Sequence, residues 1–333
     1  MTTTAASRIP RTMVPPAELL PDVLPTERLN VRAMAVRPLR DELRRIPTVR
    51  NVVTVTMALV QTFGVVIAAA VIGQWWAWVL AFLLLGRGHC LLNILGHEAA
   101  HRLLFPNRRV NDFVGRWLLA YPTFQAFGAY RRVHFAHHRD EMGPDEPDLA
   151  LYRGYPIPTD SWHRKLRRDL FGQSAYKNFK ALWFNVRQGR REAIQILAVQ
   201  AVLLGGSLVV GAWWAYPVWI LSWSTLWKFS NRLRAIAEHG GMERSADRRR
   251  TTHVIRQTPL ARYLMVPYNT GWHLAHHVDM GVPWRNLPRL HRELVAAGGV
   301  VPAVEYPSYR AFWKACSSGA AGSPEGRSRE VTQ

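Results

Sequence analysis

Apolar stretches of bilayer length alternate with strongly polar sequence along this chain. A helix of roughly 20 apolar residues crosses the hydrocarbon core of a membrane. Four stretches meet that requirement and are predicted spans: residues 51–72, 75–96, 193–211 and 212–230. The break inside each pair is short and carries a tryptophan pair, Trp75 and Trp76 or Trp213 and Trp214, as is typical of a membrane interface. The pattern predicts two tight helical hairpins.

A shorter apolar stretch, Phe113 to Tyr130, is interrupted by Arg116 and Pro122. Its apolar run is too short to cross a bilayer, so we expect an interfacial or re-entrant segment. A full crossing would place the histidine motifs described below on opposite sides of the membrane.

The predicted fold is all-α, an integral membrane domain with a helical cap on one side. The membrane domain covers residues 51–315, and the cap consists of residues 97–192 and 231–294. We expect residues 1–50 to form a cytoplasmic, partly disordered segment. Residues 316–333 are rich in glycine, serine and charge, and we predict a disordered tail.

The 333 residues carry a formal net charge of +20, and the predicted topology accounts for it. Apart from Arg87, every lysine and arginine falls on one side, counting Lys228 at the end of the fourth span. The positive-inside rule makes that side cytoplasmic, which places both termini and the cap there, with the bacterial inner membrane as the expected location. No nucleic-acid recognition motif accompanies the charge, which argues against a nucleic-acid partner.

Nine of the thirteen histidines stand in four motifs, whereas the two cysteines are too few for an iron–sulfur or cysteine–zinc site. The motifs contain His97 and His101; His134, His137 and His138; His273, His276 and His277; and the single His239. Residues at i, i+3 and i+4 share a helix face. Neutral imidazole suits iron, copper, zinc and nickel. Eight clustered imidazoles exceed the needs of one ion, so the spacing predicts a two-metal centre.

The histidine motifs, their order and the paired spans resemble the membrane fatty-acid desaturase and hydroxylase superfamily. The resemblance covers Asn51 to Leu294. It implies that the eight box histidines bind two non-haem iron ions, with O2 as co-substrate, and that His239 matches the extra histidine that such proteins often place after the last span. Asn269, one turn before the third box, is a weaker ligand candidate. Unlike in some relatives, no glutamine begins that box, and no cytochrome b5 haem motif is present.

Several charged residues are further candidates for the site. Acids beside the ligand positions are expected to accept the second ring N–H of a histidine: Glu98, Glu238, Asp140 and Asp279. Arg87 is the one charge inside a span, where charges are costly and often functional. It either contacts a substrate carboxylate, pairs with a protein acid or extends toward water. The acidic loop 143–148 either shapes substrate entry or caps a helix, and His253 and His291 are expected at the surface.

The resemblance implies O2-dependent oxidation of an unactivated C–H bond in a fatty acyl or related lipid chain. Desaturation is favoured, with lipid or alkyl hydroxylation and alkene-forming decarboxylation as alternatives. Electrons are expected from an external donor such as a ferredoxin or rubredoxin with its reductase. Outside this superfamily stand a haem- or metal-binding membrane carrier and a zinc intramembrane protease, the latter because His97 to His101 also fits His-Glu-x-x-His.

Overall fold

The computed structural model describes residues 12–319, so the predictions for 1–11 and 320–333 lie outside the described residues. Most of the described chain is helical. The α-helices are α1 (Leu39–Leu43), α2 (Thr48–Ile72), α3 (Trp75–Ala100), α4 (Arg108–Phe113), α5 (Phe127–Arg139), α6 (Leu149–Tyr152), α7 (Thr159–Leu170), α8 (Gln173–Arg187), α9 (Arg191–Val209), α10 (Ala215–Ser222), α11 (Lys228–His239), α12 (Pro259–Leu264), α13 (His273–Val278), α14 (Leu287–Ala296) and α15 (Tyr309–Cys316).

Shorter elements join these helices. Two segments are π-helical, Val114–Ala120 and Trp223–Trp227. Single 3-10 turns occupy Ala17–Leu19, Tyr121–Thr123, Arg248–Arg250 and Pro302–Val304. Strands β1 (Val254–Ile255) and β2 (Glu305–Tyr306) form one parallel pair, with Val254 opposite Glu305.

Three helical stretches within residues 12–319 are long and apolar enough to cross a membrane: Leu39–Ile72, Trp75–Ala100 and Arg191–Val209. They contain the first two predicted spans, 51–72 and 75–96, and most of the third, because Arg191–Val209 ends two residues before the predicted end at residue 211. The fourth differs from the prediction, because its helix begins at Ala215 and continues through the π-helical segment to His239. It is not one of the three, since its α-helical parts, α10 and α11, have only eight and twelve residues.

The first hairpin turns at Gly73, whose φ of 69° lies in the left-handed region that glycine adopts without strain. Helix α3 then runs at close range between α2 and the helical segment from Ala215 to His239. A Cβ atom at Gly88 would lie 2.8 Å from Thr62 Cγ2, and one at Gly86 would lie 2.9 Å from Leu226 Cβ. These contacts place α3 at the centre of the helical bundle.

Large apolar side chains cover the outer faces of the bundle. Val71 on α2 is 82% exposed and Val209 on α9 is 88% exposed. In water, apolar faces of this extent are uncommon on a monomer, whereas a lipid environment accommodates them. The surface of these helices indicates a membrane protein.

The segment from Phe113 to Tyr130 does not form a continuous helix. It passes through the π-helical segment and the 3-10 turn before α5 begins at Phe127. Tyr121 is fully buried in the bundle core, and its carbonyl accepts a hydrogen bond from Gln200 Nε2 at 2.8 Å. Irregular backbone inside a protein core needs such partners, and the interfacial or re-entrant placement of this segment stays a prediction.

Both ends of the described chain pack on the cap. Leu29, Leu39 and Leu43 of the N-terminal segment share a hydrophobic cluster with Leu274 of the third histidine box. At the other end Cys316 is fully buried, and its carbonyl accepts a hydrogen bond from Ile157 N at 2.8 Å. Residues 316–319 are therefore folded onto the cap, in contrast to the predicted disordered tail, because α15 carries an apolar face to bury.

Candidate metal centre

The histidine motifs lie at or near helix ends that meet at one point. His97 is in the last turn of α3 and His101 caps it, while the second box lies on α5 and the third on α13. His239 is the last residue of α11. Within each box the i, i+3 and i+4 spacing directs the imidazoles to one side of the helix.

The structure brings all nine predicted ligands together, in two adjoining groups. The first, the His97 cluster, has its ligand atoms within 4.8 Å of one another and contains His97, His101, His134, His138 and His276. The second, the His239 cluster, meets the same limit with His137, His239 and His277. His273 completes it, because its Nε2 lies 3.1 Å from His239 Nε2 and 2.9 Å from His277 Nε2. The stacked rings of His138 and His277, 4.3 Å apart, join the two clusters.

The spacing of the ring nitrogens fits ligands of a metal ion. Two imidazole nitrogens bound at about 2.1 Å and at right angles lie about 3.0 Å apart. In the His97 cluster, His134 Nε2 lies 2.8 Å from His101 Nε2 and 3.1 Å from His138 Nε2. His138 Nε2 is in turn 3.1 Å from His276 Nε2. One ring nitrogen cannot satisfy two such neighbours by a single proton or lone pair, whereas a shared cation satisfies them together.

Hydrogen-bond acceptors fix the tautomer of three histidines in the His239 cluster. His239 Nδ1–H donates to the Thr251 carbonyl at 2.8 Å, His137 Nδ1–H to Glu146, and His277 Nδ1–H to Glu141. A neutral imidazole that donates through Nδ1 carries its lone pair on Nε2. In their neutral form these three imidazoles direct their lone pairs into the same small volume, an arrangement that a bound cation stabilises.

Glu141 and Glu146 were missed as histidine partners by the sequence reasoning, although Glu146 belongs to the acidic loop 143–148. Glu146 also accepts the Met142 amide at 2.7 Å, and Glu141 pairs with Arg248 at 2.6 Å. Both carboxylates are buried. Neither glutamate stands at a helical spacing from the histidine that it contacts, so no sequence pattern linked the two. The only available clue was that both glutamates follow the second box.

Burial keeps most of these histidines neutral. It lowers the pKa of His134, His138 and His276 well below the usual value, and the neighbouring histidines add to the effect. Neutral imidazole is the form that binds metal. Burial also lowers the pKa of His137, but the hydrogen bond and charge of Glu146 outweigh it and leave that pKa raised.

Comparison with known proteins assigns this chain to a family. A family model described as fatty acid desaturase matches residues 73–312. The chain belongs to the fatty acid desaturase family. Together with the histidine clusters, membership indicates a membrane-associated oxidoreductase that uses non-haem iron.

Relatives of this desaturase-family chain act on different molecules. It is 27% identical over 233 residues to the dihydrorhizobitoxine desaturase of Bradyrhizobium elkanii, covering 63% of this chain and 66% of that enzyme. It is 27% identical over 202 residues to a beta-carotene ketolase of Paracoccus sp. (strain N81106 / MBIC 01143), covering 59% of this chain and 72% of the ketolase. A chloroplastic omega-3 fatty acid desaturase of Glycine max is 27% identical over 124 residues, which are 36% of this chain and 24% of the plant enzyme.

The four acids predicted beside the ligands have different surroundings in this desaturase-family protein. Glu98 and Glu238 each lie 3.6 Å from a histidine Nδ1, those of His97 and His273, which is longer than the predicted hydrogen bond. Asp140 instead pairs with Arg244 at 2.8 Å, and Asp279 with Arg44 at 2.8 Å. The sequence placed all four near ligands, but the direction of each side chain depends on helix ends that it did not define.

The other two candidate site residues form hydrogen bonds with backbone carbonyls of the protein. Asn269 donates to the Trp284 carbonyl at 3.2 Å, and Arg87 donates to the Tyr263 carbonyl at 2.9 Å. The guanidinium of Arg87 also lies 4.1 Å from the centre of the Tyr263 ring. It therefore joins α3 to α12 of the cap, a role that the sequence reasoning did not consider.

Two histidines predicted at the surface are buried. His253 Nε2 lies 2.7 Å from the Gly240 carbonyl, and His291 packs against the Trp272 ring with centroids 4.3 Å apart. Their polar sequence neighbours concealed this, because the burial comes from packing between distant segments of the cap.

Arg44 supports the third box from the N-terminal segment, and Arg44→Gln is expected to weaken it. The substitution leaves the buried Asp279 carboxylate, which is 2% exposed, without its charged partner. Arg44 itself is 40% exposed, so water limits the loss to about 1–3 kcal/mol of stability. We expect a lower melting temperature and faster loss of iron.

Arg45→Gln, at an exposed neighbour, is the matched control, and Asp279→Asn in the Arg44→Gln background should recover part of the stability. Equal melting temperatures and equal rates of iron loss in Arg44→Gln and Arg45→Gln would contradict the supporting role of Arg44.

Proposed function

We propose that this desaturase-family protein catalyses O2-dependent oxidation of an unactivated C–H bond in a fatty acyl or related lipid chain, most readily as a desaturation. The observation that carries the proposal is the pair of adjoining clusters, with Nε2 lone pairs held toward two common points. Family membership supports the reaction class, and the apolar outer faces of α2, α3 and α9 support a substrate taken from the membrane.

The cofactor we propose is a pair of non-haem iron ions, one in each cluster. His97, His101, His134, His138 and His276 would hold one; His137, His239, His273 and His277 would hold the other. Bound there, two such ions would supply the redox chemistry by which O2 oxidises an unactivated C–H bond.

The protein's own residues orient the ligands and isolate the site. Glu141, Glu146 and the Thr251 carbonyl hold three imidazoles as Nδ1–H tautomers, which keeps Nε2 free to bind metal. His138, His276 and His277 are buried, which excludes bulk water from the site. Tyr130 stacks on His134 with ring centroids 5.4 Å apart and restricts its rotation.

The geometry of the histidines disfavours two alternative functions from outside the superfamily, a haem-binding carrier and a zinc protease. Nε2 atoms about 3 Å apart, as between His101 and His134 or His239 and His273, leave no space for a porphyrin between them. A catalytic zinc needs three protein ligands and an open position, whereas His97 and His101 belong to a cluster of five histidines. A haem carrier and a zinc protease therefore have less support than a two-metal oxidase.

For topology we propose four spans in two hairpins, with the cap, both termini and the metal centre on the cytoplasmic side of a bacterial inner membrane. The positive-inside rule supports this orientation. The packing of residues 12–46 and of α15 on the cap supports placing both ends on that side. The helix from Ala215 to His239 would form the fourth span.

Electrons are proposed to come from a ferredoxin or rubredoxin with its reductase. Reduction of O2 requires an electron supply that histidine and carboxylate side chains do not provide. The strong positive charge on the proposed cytoplasmic side would steer an acidic donor protein to the surface near the metal centre.

Desaturation and oxygen insertion are distinguished by their products. The likeness to beta-carotene ketolases supports oxygen insertion as the second candidate. Lipids of a host expressing the chain under ¹⁸O₂ are expected to gain double bonds without the isotope, whereas the products of hydroxylation or ketone formation would contain ¹⁸O.

Purified protein is expected to contain about two irons per chain and no Soret band. Unchanged lipids together with iron-free protein would overturn the proposal.

A further inference from the structure

Helix α8 exposes three large aromatic side chains to its surroundings. Tyr176 is 69% exposed, Trp183 63% and Phe184 60%. Tyr176, Lys180, Trp183 and Arg187 follow one another at i, i+4, i+7 and i+11, a spacing that aligns them along one face of a helix. We call these four residues the aromatic–basic stripe.

A neighbouring face of α8, about 100° around the helix from the stripe, is packed on the membrane bundle. Ala175 is buried in a cluster with Cys90 and Ile94 of α3 and with Trp223 and Trp227 of the π-helical segment. Leu182 packs against the main bundle core. Helix α8 thus lies against the bundle, where α3 approaches the first histidine box.

The stripe adjoins the apolar surface of the third membrane helix. After Arg187 the chain turns within three residues and enters α9 at Arg191. On α9, Ile194 is 48% exposed and Leu197 is 40% exposed. The outer surface therefore changes from apolar on α9 to mixed aromatic and basic on α8, the order of surfaces met on passing from hydrocarbon to headgroups.

We infer that the aromatic–basic stripe lies in the headgroup region of the inner leaflet and binds the phosphate of an anionic phospholipid. The inference rests on the cytoplasmic placement of the cap proposed above. Tryptophan and tyrosine favour the membrane interface, where the ring is partly buried and its polar atom stays hydrated. Lysine and arginine beside them provide the complementary charge for anionic lipid.

The charges of the stripe are available for a lipid phosphate. Within residues 12–319, Lys180 and Arg187 form no ion pair with an acid. Many other arginines of the cap are paired, as Arg244 is with Asp140 and Arg248 with Glu141. Positive charge on α8 is thus left for a partner outside the chain, and the adjoining lipid-facing surface of α9 makes that partner the membrane.

Affinity for short-chain phosphatidylglycerol tests the inference. Each basic residue at an anionic surface contributes about fivefold to affinity, so Lys180→Ala with Arg187→Ala should weaken binding about 25-fold. We would measure binding of dioctanoyl phosphatidylglycerol to the full-length, detergent-solubilised protein, with dioctanoyl phosphatidylcholine as the neutral probe. The wild type is expected to prefer phosphatidylglycerol, and the double variant to lose that preference.

The matched control is Arg310→Ala with Lys314→Ala, which removes the same charge from exposed positions of α15. Its phosphatidylglycerol affinity should equal that of the wild type. Equal losses in both double variants would show a general charge effect and overturn the assignment to α8, as would full affinity in the α8 variant. Because no turnover is measured, inactive protein with normal lipid binding would contradict only the proposed function.

A depth measurement checks the placement of the stripe independently. Cys90 and Cys316 are both buried, so a nitroxide can be directed to Phe184→Cys in phosphatidylcholine–phosphatidylglycerol nanodiscs. We expect the label to collide more with lipid-soluble oxygen than with a water-soluble nickel chelate, and a label at the exposed Arg310→Cys to show the reverse. Greater access of the nickel chelate at position 184 would place α8 in water and overturn the inference.

Discussion

Replacing His276 or His137 by alanine is expected to abolish turnover and to lower bound iron by about one ion per chain. The two residues belong to different clusters, and His276 Nε2 lies 3.1 Å from His138 Nε2. If the two ions act together, loss of either one stops the reaction. Iron analysis of the purified variants, with product analysis in expressing cells, provides the measurement.

His163→Ala is the matched control for these variants, because His163 is exposed on α7 and belongs to neither cluster. It should retain wild-type iron and activity. Wild-type turnover in both the His276 and the His137 variants would refute the ligand assignment. Loss of iron without loss of the fold is checked by the retention of helical circular dichroism.

The second large effect is expected at Glu146, which holds His137 through Nδ1. Glu146→Ala frees this imidazole to rotate and to change tautomer, and such outer partners are worth about 10–100-fold in metal affinity. Glu146→Gln retains an acceptor oxygen but loses the charge, so its loss should be intermediate. Chelator competition measures the iron affinity of each variant.

Asp145→Asn is the control for Glu146, since it removes a carboxylate from the neighbouring exposed position of the same loop. Iron affinity should be unchanged in this variant. An equal loss in the Asp145 and Glu146 variants would mean that the charge of the loop matters, and not the contact with His137. Glu141→Ala is expected to behave as Glu146→Ala does, with an added loss of stability because Arg248 also loses its partner.

The two glutamates and Arg44 show that the cap does more than carry histidines. Glu141 and Glu146 lie on the chain just beyond the second box, and their contacts reach His277 on α13 and His137 on α5. Arg44 reaches Asp279, directly after the third box, from the N-terminal segment. The metal centre is thus held by segments that are far apart in the sequence, and variants at its periphery should affect iron retention.

Some features of the site could be predicted because they are local. The i, i+3 and i+4 spacing of His134, His137 and His138 defines a helix face without reference to the rest of the fold. Length and hydropathy likewise predicted the spans that became α2, α3 and α9, with ends shifted by a few residues. The bounds of the proposed fourth span were harder to predict, because the change to π-helical geometry at Trp223–Trp227 leaves no clear mark in composition.

The sequence by itself determined the family, the helical membrane character and the nine histidines, since these depend on periodicity, hydropathy and short motifs. Only the tertiary structure decided which histidines share a cluster, that Glu141 and Glu146 fix their tautomers, that Asp140 and Asp279 pair with arginines, and that His253 is buried. Local patterns specify which face a side chain occupies. Which distant group meets it depends on how helices pack, and that packing minimises exposed apolar surface and unpaired polar groups over the whole chain.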